Sequence, residues 1–461
     1  MAKKAISPVQ LLDSPSGQLQ LIFELKDRIP TYRLNKGADF VILSSDLGVV
    51  LEDEDLSKNF EIIGYGKRDS SSTWTQPWGE VKEIVDNHQE LAVYLKHDSG
   101  KRMNVIFRLY DTGLGFRYEW PDQETLDEFV IMEEKTEFVL ADDHDSWWLQ
   151  AYIPNRYEHL NIASKASEID TAATPLTMRT NNGLYLSFHE AALTDYSSMS
   201  LMNRGDNKLQ ATLFPWMDGT GHKVRAKTPF VSPWRTIKVN EDLDGLVNNY
   251  IELNLNEPSK IEDTSWIQPG KYVGIWWDMH LNRKTWHSGE KHGATTEYTK
   301  EWIDFASKHG FDGVLVEGWN ETWDGDWIKN SDKFSFTESY PDYDLEEVVE
   351  YAQQKGTNII MHNETSTGID NYESQLDEAF DYYQKLGINT IKSGYVGDMI
   401  ANGEWHHGQY MVRHYRKVVE KAAEHGIMLD VHEPIKDTGI RRTWPNMMTR
   451  EGARGQEYNA W

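Results

Sequence analysis

The sequence predicts a chain of two parts and mixed class: a β-sandwich over residues 1–257, then an α/β barrel of the (β/α)8 type over 258–461. Three observations carry this. Residues 5 to about 255 read as short strand-like runs broken by turn residues. After Pro258 the pattern changes to strand, loop, helix, repeated five times. Two of the later strand-like runs stop at a His with Glu close behind, and the chemistry of a parallel barrel sits at the C-terminal ends of its strands.

The first part is argued from its turns. Gln18–Leu25 follows Ser14-Pro15-Ser16-Gly17, and Val105–Tyr110 precedes Asp111-Thr112-Gly113. Further runs are Gly115–Tyr118, Leu184–Phe188 and Thr236–Val239. Many short strands with frequent turns and no sustained helical period indicate a sandwich.

The second part begins with a strand over Tyr272–Trp277, then a helix over Thr296–His309 stopped by Gly310. Strand two is Asp312–Glu317, with a helix over Asp344–Lys355 and Gly356 after it. Strand three is Asn358–Met361, followed by a helix from Asn371 to Leu386 and Gly387. Strand four is Asn389–Lys392, with a helix from Gly408 to His425 and Gly426. Strand five is Ile427–Val431. A glycine after each helix supplies the left-handed closing residue. No Gly-x-Gly-x-x-Gly follows the first strand, so a dinucleotide fold loses weight. Five strands do not close a barrel, so the expectation is a truncated form of a longer protein.

Composition narrows the function. The net charge of -27 disfavours nucleic acid, which needs Lys and Arg against its phosphates. The 18 Trp and 22 Tyr suit either large cores or the stacking of sugar rings in an open cleft. The absence of cysteine excludes disulfides and thiolate chemistry. Met1-Ala2-Lys3-Lys4-Ala5 has no apolar run behind its lysines, so no secretory signal is read. No apolar run approaches the ~20 residues of a membrane span.

The candidate chemistry lies at the later strand ends. His362 and Glu364 are two apart and share one face of an extended segment. His432 and Glu433 close strand five, and Glu451 and Glu457 follow. Lys392 closes strand four and could hold a substrate hydroxyl or neutralise a carboxylate. Several carboxylates at one mouth suit acid/base work, a hard cation, or both. A zinc reading through His362 and His432 lacks a compact motif such as His-Glu-x-x-His.

The strings His362-Asn363-Glu364-Thr365-Ser366, Lys392-Ser393-Gly394-Tyr395-Val396-Gly397, His432-Glu433-Pro434 and Glu451–Tyr458 resemble glycoside hydrolase family 97. Val314–Asn320, Phe188–Leu193 and Ser232–Thr236 fit the same family, in order along the chain. The closest resemblance is to its inverting, calcium-dependent α-glucosidase of starch-utilisation systems. That resemblance implies an N-terminal β-super-sandwich, a (β/α)8 barrel and a C-terminal β-domain, the last lying beyond this sequence. It implies Glu457 as general acid, with Glu433 and Glu364 activating water. It implies Ca2+ held by Glu190, Glu433, Glu451 and Glu457, and substrate contacts from His362, Asn363, Lys392 and His432. Retaining members carry an aspartate nucleophile at the end of strand four, where this chain has Lys392-Ser393-Gly394, with Asp398 nearby. The expected activity is therefore inverting hydrolysis of malto-oligosaccharides or α-glucans from the non-reducing end. The alternatives are a retaining α-galactosidase of the same family and a catalytically silent carbohydrate-binding protein. A periplasmic monomer or homodimer without nucleic-acid partners is expected.

Overall fold

Alternation of buried and exposed residues builds the first half. In the computed structural model, which describes residues 6–153, 157–400 and 403–460, the strands Val9–Asp13, Leu19–Lys26, Ile29–Lys36 and Asp39–Asp46 form an antiparallel four-stranded sheet. It packs on a thirteen-stranded sheet whose middle includes Arg102–Tyr110, Gly113–Trp120, Tyr185–Ala191 and Trp234–Asn240. A second four-stranded sheet completes this half. Rings from the facing sheets interlock: Phe23 meets Phe107 at 6.0 Å, and Tyr32 meets Phe116 at 5.0 Å. Such tilted pairs are the favoured aromatic geometry. Leu243–Val247 and Ile251–Asn254 are short helices, the first capped by Asp242, which accepts from Gly245 N at 2.7 Å.

The second half is a single parallel sheet of six strands in sequential order: Tyr272–Gly274, Gly313–Val316, Asn358–Glu364, Thr390–Gly394, Met428–His432 and Met447–Glu451. Helices Thr296–His309, Leu345–Gln354, Ile369–Leu386 and Gln409–Glu424 connect them. Thr295 and Asp344 cap the first two by accepting from Tyr298 N and Glu347 N. Gly310, Gly356, Gly387 and Gly426 follow the helices with positive φ, as their positions predict. The sheet curls: the Tyr272 hydroxyl on strand one donates to Asp430 on strand five across its concave face. Among the described residues no helix is long and apolar enough to cross a membrane.

Three expectations are corrected. The described residues hold six parallel strands in a half-barrel-like sheet, and they do not form a closed (β/α)8 barrel. Strand one ends at Gly274, and Trp276 and Trp277 open a short helix, Trp276–His280. The strands number six and not five: Glu451 ends the strand Met447–Glu451, which sequence reading missed because Thr449 and Arg450 interrupt its apolar pattern.

A buried charge cluster crosses the two halves. Arg235 is wholly buried and donates to Glu134 at 2.9 and 2.6 Å and to Glu190 at 2.5 Å. Lys436 lies 2.7 Å from the other Glu190 oxygen. Burial raises the Glu190 carboxyl, but the Lys436 and Arg235 charges outweigh it and hold it below the usual range. Two carboxylates and two cations thus balance inside the protein. Arg235→Met would remove the shared guanidinium. Stranding buried carboxylates in this way costs about 3–5 kcal/mol, so the urea midpoint should fall sharply. An unchanged midpoint would show that the cluster adds no stability.

Candidate active site

The strand ends set the site. On strand three, His362 and Glu364 face the cavity and Asn363 faces away, as the period of two requires. The Glu364 carboxylate is fixed at both oxygens. Oε1 accepts from Ser366 N at 2.7 Å and Val396 N at 3.0 Å, and Oε2 lies 3.0 Å from His432 Nε2. The ring of His362 is near-parallel to that of His432 at 5.7 Å and to that of Trp323 at 6.0 Å. Neither ring nitrogen of His362 has a hydrogen-bond partner among the described residues.

The two histidines are tuned in opposite directions. Burial pushes His362 down to about 4 against the pull of Glu317, so it is neutral near pH 7. Burial and Lys392 also oppose the charging of His432, yet Glu364 and Glu433 outweigh them and raise it. Glu433 follows at φ 52, a left-handed conformation unusual for a non-glycine residue, and its Oε2 lies 4.0 Å from His432 Nδ1.

Strand four contributes Lys392, which lies 3.6 Å from Glu317 and 4.0 Å from Glu451. Burial lowers this lysine, but Glu317 and Glu451 outweigh it and keep the ammonium charged. Two residues on, Gly394 leaves space that its neighbours fill. A Cβ there would lie 1.9 Å from His432 Nε2 and 2.0 Å from Glu364 Oε2.

A second group gathers at the rim. Carboxylate oxygens of Glu158, Glu451 and Glu457 lie within 4.8 Å of one another. Glu457 sits on the 3-10 turn Gln456–Asn459, and its carbonyl lies 3.1 Å from His280 Nε2. Burial, Glu158 and Glu451 together raise the Glu457 carboxyl above the usual range. The Tyr458 hydroxyl donates to Glu158 at 2.8 Å. All of these residues border one cavity of about 710 Å³, walled by Trp276, Trp277, Trp286, Trp323 and Trp327.

The structure therefore brings together His362, Glu364, Lys392, His432, Glu433, Glu451 and Glu457. It does not bring in Asn363 or Glu190. Asn363 ties the sheet to helix Ile369–Leu386 through the Tyr372 and Tyr383 hydroxyls at 3.3 and 3.1 Å. Glu190 is held between Arg235 and Lys436, and the first half sends Glu158 to the rim instead. Glu158 lies on a segment without periodic signal. Glu317, by contrast, carries the strand-end signal used for the other glutamates. It accepts from Trp286 Nε1 at 3.2 Å, and burial is outweighed by His362 and Lys392, which hold it ionised. Asp398 also borders the cavity.

A structure described as a glycoside hydrolase family 97 enzyme from a Pseudoalteromonas species, in complex with acarbose, is 44% identical. The match covers 98% of this chain and 70% of that one, with a TM-score of 0.94. A variant of that enzyme is described in complex with panose. A curated retaining α-galactosidase of Bacteroides thetaiotaomicron is 23% identical over 98% of this chain and 68% of its own length. A probable retaining α-galactosidase of Streptomyces bingchenggensis is 24% identical, over 96% of this chain and 64% of its own length. The chain thus spans about two thirds of the length of these curated relatives. Two family profiles match, glycosyl-hydrolase 97 N-terminal over residues 12–258 and glycoside hydrolase 97 over 276–453, and the chain belongs to glycoside hydrolase family 97.

Proposed function

We propose that this glycoside hydrolase cleaves α-glucosidic bonds of malto-oligosaccharides and related α-glucans from the non-reducing end, with inversion. The observation that carries the reading is the filled space at Gly394. The family resemblance implies that retaining members place an aspartate nucleophile at the end of strand four. Here even a Cβ would collide with Glu364 and His432. Water must then attack the sugar directly, and the carboxylate beside that space is Glu364. The 44% identical enzyme is described with acarbose and panose, which supports a glucose-type substrate. The retaining α-galactosidase reading is favoured by the names of relatives at 23 and 24% identity.

The residues divide the work. Glu457 is the general acid: it sits on the rim of the cavity, and partial burial favours its protonated form. Glu433 and Glu364 activate water on the opposite face of the sugar. His432 lies between those two carboxylates, 3.0 Å from Glu364 and 4.0 Å from Glu433, and lowers the Glu364 carboxyl. His362 and Lys392 border the cavity and contact the sugar there. The tryptophans give apolar faces on which rings stack.

Calcium is part of the reading. The donor set at the rim fits it, since three carboxylates converge and hard cations take several carboxylate oxygens. Glu158, Glu451 and Glu457 would hold the ion, with Glu433 on the same cavity, and Glu158 takes the place expected for Glu190. Bound there, the ion supplies positive charge that offsets the crowding of carboxylates.

Product stereochemistry, variant kinetics and metal dependence test this. Proton NMR of the first product from a maltoside should show the β-anomer, while an α-anomer would establish the retaining alternative. Failure to cleave either α-glucosides or α-galactosides would favour the silent binding protein. Glu457→Gln should slow maltose cleavage by about 10²–10⁴-fold, the usual worth of general acid help. It should slow a dinitrophenyl glucoside far less, because that leaving group departs without a proton. Chelator should abolish activity and calcium restore it. Glu158→Gln should raise the calcium needed for half-maximal activity, and an unchanged calcium titration would remove Glu158 from the ion's ligands.

A further inference from the structure

We infer that Lys436, which touches no part of the cavity, is a positioning residue for Glu433 and makes the first half of the chain part of the catalytic apparatus. The inference rests on the reading of Glu433 as the group that activates water. Glu433 leaves strand five in a left-handed conformation, so its side-chain direction depends on how the next few residues are held. Those residues dock on the first half at every step. Ile435 is buried in the apolar core of that half. The Asp437 carbonyl lies 2.7 Å from His189 Nε2. The Thr438 carbonyl accepts from Ala192 N at 2.9 Å and from Asn256 Nδ2 at 2.7 Å.

Lys436 is the central anchor. Its ammonium is buried and meets three acceptors: Glu190 at 2.7 Å, the Met199 carbonyl at 2.6 Å, and the Thr174 hydroxyl. Those are as many as its N–H groups. All three lie on strands of the thirteen-stranded sheet. An apolar side chain would pack there without losing hydration, so stability alone does not call for a lysine. What the lysine adds is placement. Apolar contact tolerates sliding, whereas a buried ammonium is satisfied only where its three acceptors converge. That point fixes the segment three residues beyond Glu433, and Glu190 is itself fixed by Arg235.

The test is the double variant Lys436→Met/Glu190→Gln, which removes one positive and one negative charge and keeps the cluster balanced. Circular dichroism should show a folded protein. A misplacement of order 1 Å at a reacting group costs about 100-fold, so kcat should fall by about that factor. The fall should be the same for maltose and for a dinitrophenyl glucoside, because water activation is needed whatever departs. KM should change by less than about threefold, since a rigid first-half anchor affects placement of the base and not sugar binding. An unchanged kcat in the folded variant, or a fall confined to maltose, overturns the inference. Glu433→Gln is measured in parallel. If it stays active, the reading of Glu433 is wrong. If it is inactive while the double variant is fully active, only the positioning role is wrong. Should the double variant not fold, Thr174→Val decides, since it removes a single acceptor from the ammonium. It should lower kcat for both substrates with KM unchanged, and a wild-type kcat there overturns the inference.

Discussion

Crowding of like charge at one mouth is the constraint on which this structure turns. Glu158, Glu451 and Glu457 converge within 4.8 Å, with Glu317, Glu364 and Glu433 on the same cavity. Two unit charges about 4 Å apart interact by roughly 4 kcal/mol at the effective dielectric of a protein surface. Left alone, these side chains would splay into solvent or take up protons. The fold opposes both. Strand ends and backbone N–H groups grip Glu364, Lys392 stands between Glu317 and Glu451, and His432 charges beside Glu364. Glu457 sits on a short turn at the rim, where burial and the Glu158 and Glu451 charges raise its carboxyl above the usual range.

Space is shared as tightly as charge. The volume that a side chain at position 394 would occupy belongs to Glu364 Oε2 and His432 Nε2. A carboxylate on strand four and the Glu364–His432 pair are therefore competing uses of one volume. That exclusion is steric and holds whatever the substrate.

The parts of this arrangement that follow from local rules were legible in the sequence. Gly310, Gly356, Gly387 and Gly426 marked the helix ends because each needs positive φ. His362 and Glu364 were paired by the period of a strand. The same period turns Asn363 toward the helices, so reading it as a substrate contact went against the local rule. What depends on distant partners was not legible. Glu158 reaches Tyr458 across 300 residues of sequence from a segment with no pattern. Glu190 is a buried carboxylate in a motif-bearing strand, and sequence does not tell a metal ion from a guanidinium as its counter-charge. The sixth strand is held by parallel pairing to Leu429–His432 with a register shift, a tertiary feature without a local signal.

His362 and His432 show how environment alone assigns roles to identical groups. Both are buried at strand ends and their rings lie 5.7 Å apart. His432 has a carboxylate at 3.0 Å on one nitrogen and another at 4.0 Å on the other, and these favour its charged form. The nearest carboxylate distance for His362 is 3.9 Å, to a Glu317 already shared with Lys392, and it stays neutral. A neutral imidazole offers one donor and one acceptor, whereas a charged one offers two donors. The charged ring thus binds the carboxylates that need an ionised partner, and the neutral ring is left to match a hydroxyl, which both gives and takes a hydrogen bond. Were both charged, they would repel across 5.7 Å in a poorly screened site; were both neutral, Glu364 would lose the partner that holds it ionised. One of each leaves a partner for the Glu364 carboxylate and a ring that keeps both a donor and an acceptor.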